Sequence, residues 1–150
     1  RKLITPNKKK QKTKILAVVG SVNANTTAQM EELWLSQRTH NEFVHTRELL
    51  EGEKRRELEI RRVVNSILGE CDRNNISTVT GDGIYPENRI DFTPYMERYQ
   101  CSLDEVTEMI NSGFAEITYR IFKAEDTFKG LYTSGGDITV AVCKKFDTAG

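Results

Sequence analysis

Ile15-Leu16-Ala17-Val18-Val19-Gly20-Ser21-Val22-Asn23-Ala24-Asn25-Thr26 is the stretch that decides the fold expected of this chain. Its first five residues form a continuous apolar run, rich in β-branched side chains. Such a run is typical of a strand covered on both faces in a parallel sheet. Gly20 then predicts a turn, and Thr26 with Gln29 forms a capping-box pattern before apolar residues at helical spacing. The stretch therefore predicts a strand, a turn and a helix in that order.

Three further apolar runs predict strands, a weak one at residues 41–46 and two others at residues 76–80 and 128–133. Helical periodicity follows each of these runs. After the run at residues 76–80 it begins only beyond the irregular residues 81–100. The predicted apolar stripes are Ile60, Val63, Val64, Ile67 and Leu68 on one helix and Leu103, Val106, Ile110, Phe114, Ile117 and Ile121 on another. This alternation predicts an α/β fold, a three-layer α/β/α sandwich around a mainly parallel sheet.

Charged side chains are unevenly distributed along the chain, although the formal net charge is zero. Residues 1–14 hold seven basic and no acidic residues, which leaves a body of 15 basic and 22 acidic residues with a charge of about −7. An acidic body disfavours nucleic-acid binding, which needs a basic face. We interpret residues 1–14 as a basic linker or tail and residues 15–150 as the folded domain.

Several other classes of protein are disfavoured by the sequence. No apolar run approaches the roughly 20 residues that a membrane span needs. Cys71, Cys101 and Cys143 lack the C-x-x-C spacing of a zinc site, which favours reduced thiols in a cytoplasmic protein. His40 and His45 have no partner at ligand spacing, so these two residues are not expected to act in catalysis, and the catalytic residues and metal ligands are left unassigned. One helix face is predicted to be solvated because it alternates Arg55, Arg56, Arg61 and Arg62 with Glu53, Glu57 and Glu59.

Two glycine-bearing turns, each after a strand and before a helix, are the candidate ligand-binding elements. The first offers Gly20, Ser21 and Asn23, and the second offers Ser134-Gly135-Gly136-Asp137. Glycine lets a ligand approach the backbone closely, and a helix N-terminus presents free N–H groups to an anion. Because ligands of parallel sheets bind at the carboxyl ends of strands, both turns are expected to grip the same phosphate chain.

Simpler interpretations of these turns remain open. The first turn lacks both the Walker A and the dinucleotide patterns, and Thr26 alone could account for it as a helix cap. Asp137 could cap its helix, hold a hydrated metal ion or orient a hydroxyl group. A third turn, Gly81-Asp82-Gly83, also follows a strand, and turn chemistry is the favoured explanation for it.

The opening residues 15–23 and the closing residues 130–137 resemble the C-terminal nucleotide-binding domain of the four-carbon acid sugar kinases. The resemblance covers nearly all of residues 15–150 and is most specific at the two turns. It implies ATP-dependent phosphorylation of tetronate-like acid sugars with Mg²⁺. By position, Ser21 would lie near the nucleotide, and Gly135, Gly136 and Asp137 would wrap the phosphates of ATP.

The resemblance also implies a partner domain. The acid sugar would be held by a separate N-terminal domain, so this chain alone is expected to be inactive, and a homodimer is left open. Two positions depart from the family pattern, Asn23 in place of a serine and Ile138 in place of threonine or serine. They leave a second hypothesis open, a non-catalytic α/β module that binds a regulatory ligand or a partner protein.

Overall fold

The computed structural model describes residues 13–20, 24–36 and 38–149. Within them four strands form one sheet, β1 (Lys14–Val19), β2 (Thr39–Val44), β3 (Ile76–Gly81) and β4 (Phe128–Ser134). The spatial order is β2-β3-β1-β4, and every neighbouring pair is parallel. The carboxyl ends of all four strands therefore lie at one edge of the sheet.

Five α-helices accompany the sheet in the described residues. They are α1 (Ala24–Ser36), α2 (Glu53–Glu70), α3 (Thr93–Tyr99), α4 (Leu103–Ala124) and α5 (Gly136–Ala149). Short 3₁₀ helices cover Thr46–Leu50, Cys71–Arg73, Asp82–Ile84 and Pro86–Asn88. The predicted alternation of strands and helices is confirmed. In addition, α3 lies within residues 81–100, which were predicted to be irregular.

The two faces of the sheet carry separate apolar cores. On one face, Leu16 and Val18 of β1 join the larger core with buried residues of α2, α4 and α5. On the other face, Val19 joins a smaller cluster with Met30 of α1. Successive residues of a strand point to opposite faces, so β1 serves both cores. The predicted three-layer α/β/α sandwich is thereby confirmed.

The helix α4 forms as its sequence predicts. The Ser102 hydroxyl accepts a hydrogen bond from the Glu105 amide at 3.1 Å, and the Glu105 carboxylate accepts one from the Ser102 amide at 3.0 Å. This is the capping box expected at that position. The rest of the predicted stripe is buried, but Leu103 is 50% exposed because it lies in the first turn, beyond the edge of the core.

Four details differ from the sequence-based expectations. The helix α1 begins at Ala24, so Thr26 lies within its first turn and is not its cap. The strand β2 begins two residues earlier than predicted. Glu59 is 5% exposed and not solvated, because the His45 amide and Arg62 satisfy its carboxylate at 2.7 Å each. Lys14, assigned to the tail, is the buried first residue of β1, and its ammonium contacts Asp72 at 2.7 Å.

Candidate functional site

The described parts of the two glycine turns lie side by side. Val19 pairs with Ser134 at the ends of β1 and β4, and the Gly20 amide donates to the Ser134 carbonyl oxygen at 3.3 Å. The two turns thus meet at one edge of the sheet, as predicted. Ser21 and Asn23 lie outside the described residues, so their nucleotide contacts stay predictions.

The space beside Gly20 is filled by a side chain. A β-carbon at this position would lie 2.0 Å from Ile138 Cδ1, and Ile138 is only 4% exposed. Since the Gly20 amide is already bonded to Ser134, the glycine here permits the approach of Ile138 and not of a ligand. The described contacts of Gly20 are therefore structural, and the predicted nucleotide contacts of the first turn rest on Ser21 and Asn23.

The second turn is held in one conformation by two threonines. Gly135 has φ of +108°, a conformation that residues with a β-carbon rarely adopt. Its carbonyl oxygen accepts from both the amide and the hydroxyl of Thr139, each at 3.1 Å. The Thr139 hydroxyl is in turn 2.6 Å from the Thr133 hydroxyl on β4. These contacts fix the start of α5 against the end of β4.

Three predicted site residues lie at the exposed start of α5. Gly135, Gly136 and Asp137 are all accessible to solvent. The first N–H groups of a helix have no carbonyl partner within it, and they carry the positive end of the helix dipole. A β-carbon on Gly136 would touch nothing within 4 Å, which leaves room for a ligand above this turn. The arrangement suits an anion such as a phosphate group.

A crevice of about 330 Å³ opens at the same edge of the sheet. Gly20, Ile138 and the Gly81-Asp82-Gly83 turn after β3 are among the residues that line it. Phe92, Ile110 and Phe114 supply an apolar wall. Its volume and its mixture of apolar walls with a few polar groups are those of a small-ligand site.

Asp82 is the anchored polar group of this crevice. Its Oδ1 accepts from the Thr46 hydroxyl at 2.8 Å and from the Thr46 amide at 3.3 Å. Within the part of the chain that the structure describes, its other carboxylate oxygen has no hydrogen-bond partner. The turn that sequence reasoning favoured as mere turn chemistry therefore presents a fixed hydrogen-bond acceptor to the crevice.

A second cavity of about 380 Å³ adjoins the crevice. The two share Thr107 and Asn111 of α4, and the second cavity also contains Asp137 and Lys144 of α5. We refer to these two adjoining cavities together as the trough. Its second part is lined by the carboxylates of Asp104, Glu108 and Asp137 and by Lys144, so a phosphate chain there would need a cation beside it.

Metal-ligating side chains are sparse at this edge. No group of three or more His, Cys, Asp or Glu residues that could hold a metal ion occurs among the described residues. The expected Mg²⁺ does not need such a group, because it commonly keeps several waters and is bound by one or two carboxylates plus substrate phosphates. The exposed Asp137 carboxylate beside the free N–H groups of α5 fits that requirement.

Sequence reasoning missed the crevice residues Thr46, Phe92, Thr107 and Asn111. They come from three separate segments that only the tertiary fold brings together. A usable signal was present at Asp82, because its turn follows a strand as the other two do, and the strand ends share one edge.

The structure contains no helix, among those it describes, that is long and apolar enough to cross a bilayer.

Comparison with known proteins agrees with the geometry of this edge. Residues 16–150 match a family described as a nucleotide-binding C-terminal domain. The chain is also 33% identical, over 141 residues, to a D-erythronate kinase of Heliobacterium modesticaldum. That alignment covers 91% of this chain but 31% of the relative, so the chain spans about a third of the kinase's length. The chain therefore belongs to the nucleotide-binding C-terminal domain family of the four-carbon acid sugar kinases.

Proposed function

We propose that this domain binds Mg-ATP and supplies it to the phosphorylation of a four-carbon acid sugar of the tetronate class. The observation that carries the proposal is the hydrogen bond from Gly20 to Ser134, which joins both glycine turns beside one ligand-sized trough. The D-erythronate kinase named above supports the substrate class, since its name specifies a four-carbon sugar acid.

Each predicted site residue has a role in this proposal. The amides at the start of α5, those of Gly136 and Asp137, would donate to phosphate oxygens. Ser134, Ser21 and Asn23 would contribute further hydrogen bonds from the ends of β1 and β4. The Asp137 carboxylate would hold Mg²⁺ through water. Mg²⁺, when bound, neutralises phosphate charge that would otherwise repel the carboxylates of the trough.

Phosphoryl transfer requires little covalent chemistry from a protein, because positioning and charge stabilisation dominate. No residue of this chain is assigned as general base. We propose that the acid sugar and the groups that activate it belong to a separate domain, as the relative's greater length suggests. The domain alone is then a binding unit without turnover. Cytoplasmic location remains a prediction of the same hypothesis, which leaves the formation of a homodimer open.

Calorimetric titration of this chain with Mg-ATP tests the proposal, using the pair Gly136→Asp and Gly136→Asn. Both side chains have nearly the same size, and a β-carbon there meets nothing within 4 Å, but only the aspartate brings a negative charge against the phosphates. We expect Gly136→Asp to weaken ATP binding at least tenfold more than Gly136→Asn does. If neither this chain nor a longer one carrying the sugar-binding domain binds Mg-ATP, the proposal is wrong and the regulatory-module hypothesis gains support.

A further inference from the structure

We propose that the crevice between α4 and the end of β3 binds the base of an adenine nucleotide and that Asp82 determines its specificity. In this arrangement the Asp82 carboxylate accepts a hydrogen bond from the exocyclic amine of adenine. The inference rests on the proposed function, because it takes the ligand to be a nucleotide whose phosphates lie at the start of α5.

The apolar wall of the crevice favours a flat aromatic ring. Ile110 and Phe114 are 9% and 2% exposed, so both are held rigidly in the larger core, and Phe92 packs against that core from α3's side. Gly81 allows this packing, because a β-carbon there would lie 3.2 Å from Phe114 Cζ. Nucleobases stack on such side chains through dispersion and quadrupole interactions.

The polar side of the crevice, at Asp82, determines which edge of the nucleobase can face it. An ionised aspartate can only accept hydrogen bonds. Because Thr46 occupies Oδ1, the remaining oxygen of Asp82 is oriented but available. A ligand edge that carries an N–H donor satisfies it, whereas an edge with only lone pairs leaves the carboxylate desolvated and unpaired, which is costly. The 6-amino group of adenine provides such a donor.

The acid sugar itself is a poorer occupant of this crevice. Arg89 lines the crevice and could pair with its carboxylate, but Asp82 would repel that carboxylate, and the apolar wall of Phe92, Ile110 and Phe114 offers its hydroxyl groups no hydrogen-bond partner on that side. The adjoining cavity shares Thr107 and Asn111 with the crevice and is lined by Asp137 at the exposed start of α5. A base in the crevice therefore places the rest of a nucleotide in the direction of the predicted phosphate turn.

Three ligands separate the parts of this inference. They are Mg-ATP, the triphosphate of purine riboside (which lacks only the 6-amino group) and inorganic tripolyphosphate, each titrated calorimetrically into this chain. We expect the wild type to bind ATP at least tenfold more tightly than purine riboside triphosphate. Asp82→Asn should remove most of that difference, because its single carbonyl oxygen stays bonded to Thr46 and its amide group faces the adenine amine.

The apolar wall is tested by Phe92→Ala, with Tyr132→Ala as the matched control. Tyr132 is an aromatic side chain, 57% exposed, and does not line the crevice. We expect Phe92→Ala to weaken ATP binding at least tenfold and to leave tripolyphosphate binding unchanged, whereas Tyr132→Ala changes neither. Retained tripolyphosphate binding also demonstrates that the variant is folded.

The outcomes distinguish the two proposals. Equal affinities of the wild type for ATP and purine riboside triphosphate, or for ATP and tripolyphosphate, overturn the nucleobase inference and leave the proposed function standing. An Asp82→Asn variant that keeps the full preference for ATP also overturns the inference. If neither this chain nor a longer one carrying the sugar-binding domain binds any of the three ligands, the proposed function is overturned, and the inference with it.

Discussion

Ile138 Cδ1 occupies the place that a β-carbon of residue 20 would need, at a distance of 2.0 Å. The contact joins the start of α5 to the end of β1, next to the hydrogen bond between Gly20 and Ser134. It also explains why Ile138 is buried at the exposed edge of the sheet. The glycine and the isoleucine should therefore be energetically coupled.

We predict that Gly20→Ala lowers the free energy of unfolding by about 1–3 kcal/mol, the usual cost of overpacking. Ile138 must leave its rotamer and turn towards the crevice that it lines, so ATP affinity should fall as well. In the double variant Gly20→Ala, Ile138→Val, the Cδ1 atom is absent and most of both losses should be recovered. Urea unfolding and ATP titration of the two single variants and the double variant give the coupling energy. Additive effects would refute the contact.

A second glycine, Gly113 in α4, lies against the side chain of Leu49. A β-carbon there would be 2.8, 3.1 and 3.4 Å from Cδ1, Cδ2 and Cγ of Leu49, which is 1% exposed. Alanine stabilises a helix interior by up to about 1 kcal/mol relative to glycine. Because the whole buried leucine must shift, we predict that Gly113→Ala is nevertheless destabilising by about 1 kcal/mol.

Gly69 in α2 provides the matched control. It is exposed, and a β-carbon there would meet nothing within 4 Å. Gly69→Ala should therefore raise the free energy of unfolding by about 0.5–1 kcal/mol. Opposite signs for the two substitutions, measured by urea unfolding with the single Trp34 as fluorescence probe, would support the close approach at Gly113. Stabilisation by both would contradict it.

The local structure of this chain was largely predictable from its residues. Ile60, Val63, Val64 and Ile67 recur at the spacing of a helix and are buried, and the Ser102–Glu105 capping box marks the start of α4. These patterns succeed because they depend on neighbours within a few residues. The position of each turn at a strand's carboxyl end follows from the same local evidence.

Features that depend on distant contacts were not predictable in this way. Glu59 lies in a sequence of alternating charges, yet the amide of His45 brings its carboxylate into the core. The crevice joins Thr46, Asp82 and Phe114, whose proximity is set by the strand order β2-β3-β1-β4. The glycine turn at residues 134–137 could be singled out from the sequence because it is contiguous, whereas the crevice is assembled from separate segments.

A polar network inside the sheet offers a third prediction. Asn41 Oδ1 accepts from the hydroxyls of Thr78 at 2.6 Å and Thr80 at 2.7 Å, and both threonines are fully buried. We predict that Asn41→Ala destabilises the domain by about 1–3 kcal/mol, because both buried hydroxyls lose their acceptor. Adding Thr80→Val should recover part of that loss, since one unsatisfied hydroxyl is then removed. Thermal unfolding followed by circular dichroism measures both, and a further loss in the double variant would argue against the network.

The ion pair between α2 and α4 makes stability depend on pH. Arg120 donates to both carboxylate oxygens of Glu57, at 2.7 and 2.9 Å, and these hydrogen bonds lower the pKa of Glu57 from 4.5 to about 2. A carboxyl group whose pKa is lower in the folded than in the unfolded state stabilises the fold above its unfolded pKa. That contribution disappears as the pH falls from about 4.5 to about 2. Glu57 is 38% exposed, so solvent screening limits the contribution to about 1 kcal/mol or less.

We therefore predict that Glu57→Gln lowers the free energy of unfolding at pH 6. The difference in free energy of unfolding between this variant and the wild type should become steadily smaller below pH 4.5. Glu32→Gln on α1 is the control, because Glu32 is exposed and forms no ion pair within the described segments. The free energy of unfolding of Glu32→Gln should differ little from that of the wild type, and this difference should not become smaller as the pH falls. Urea unfolding at several pH values between 3 and 6 tests this. A Glu57→Gln difference that stays constant over this range would show that the Arg120 contact contributes no free energy, since the lowered pKa and the stabilisation are the same quantity.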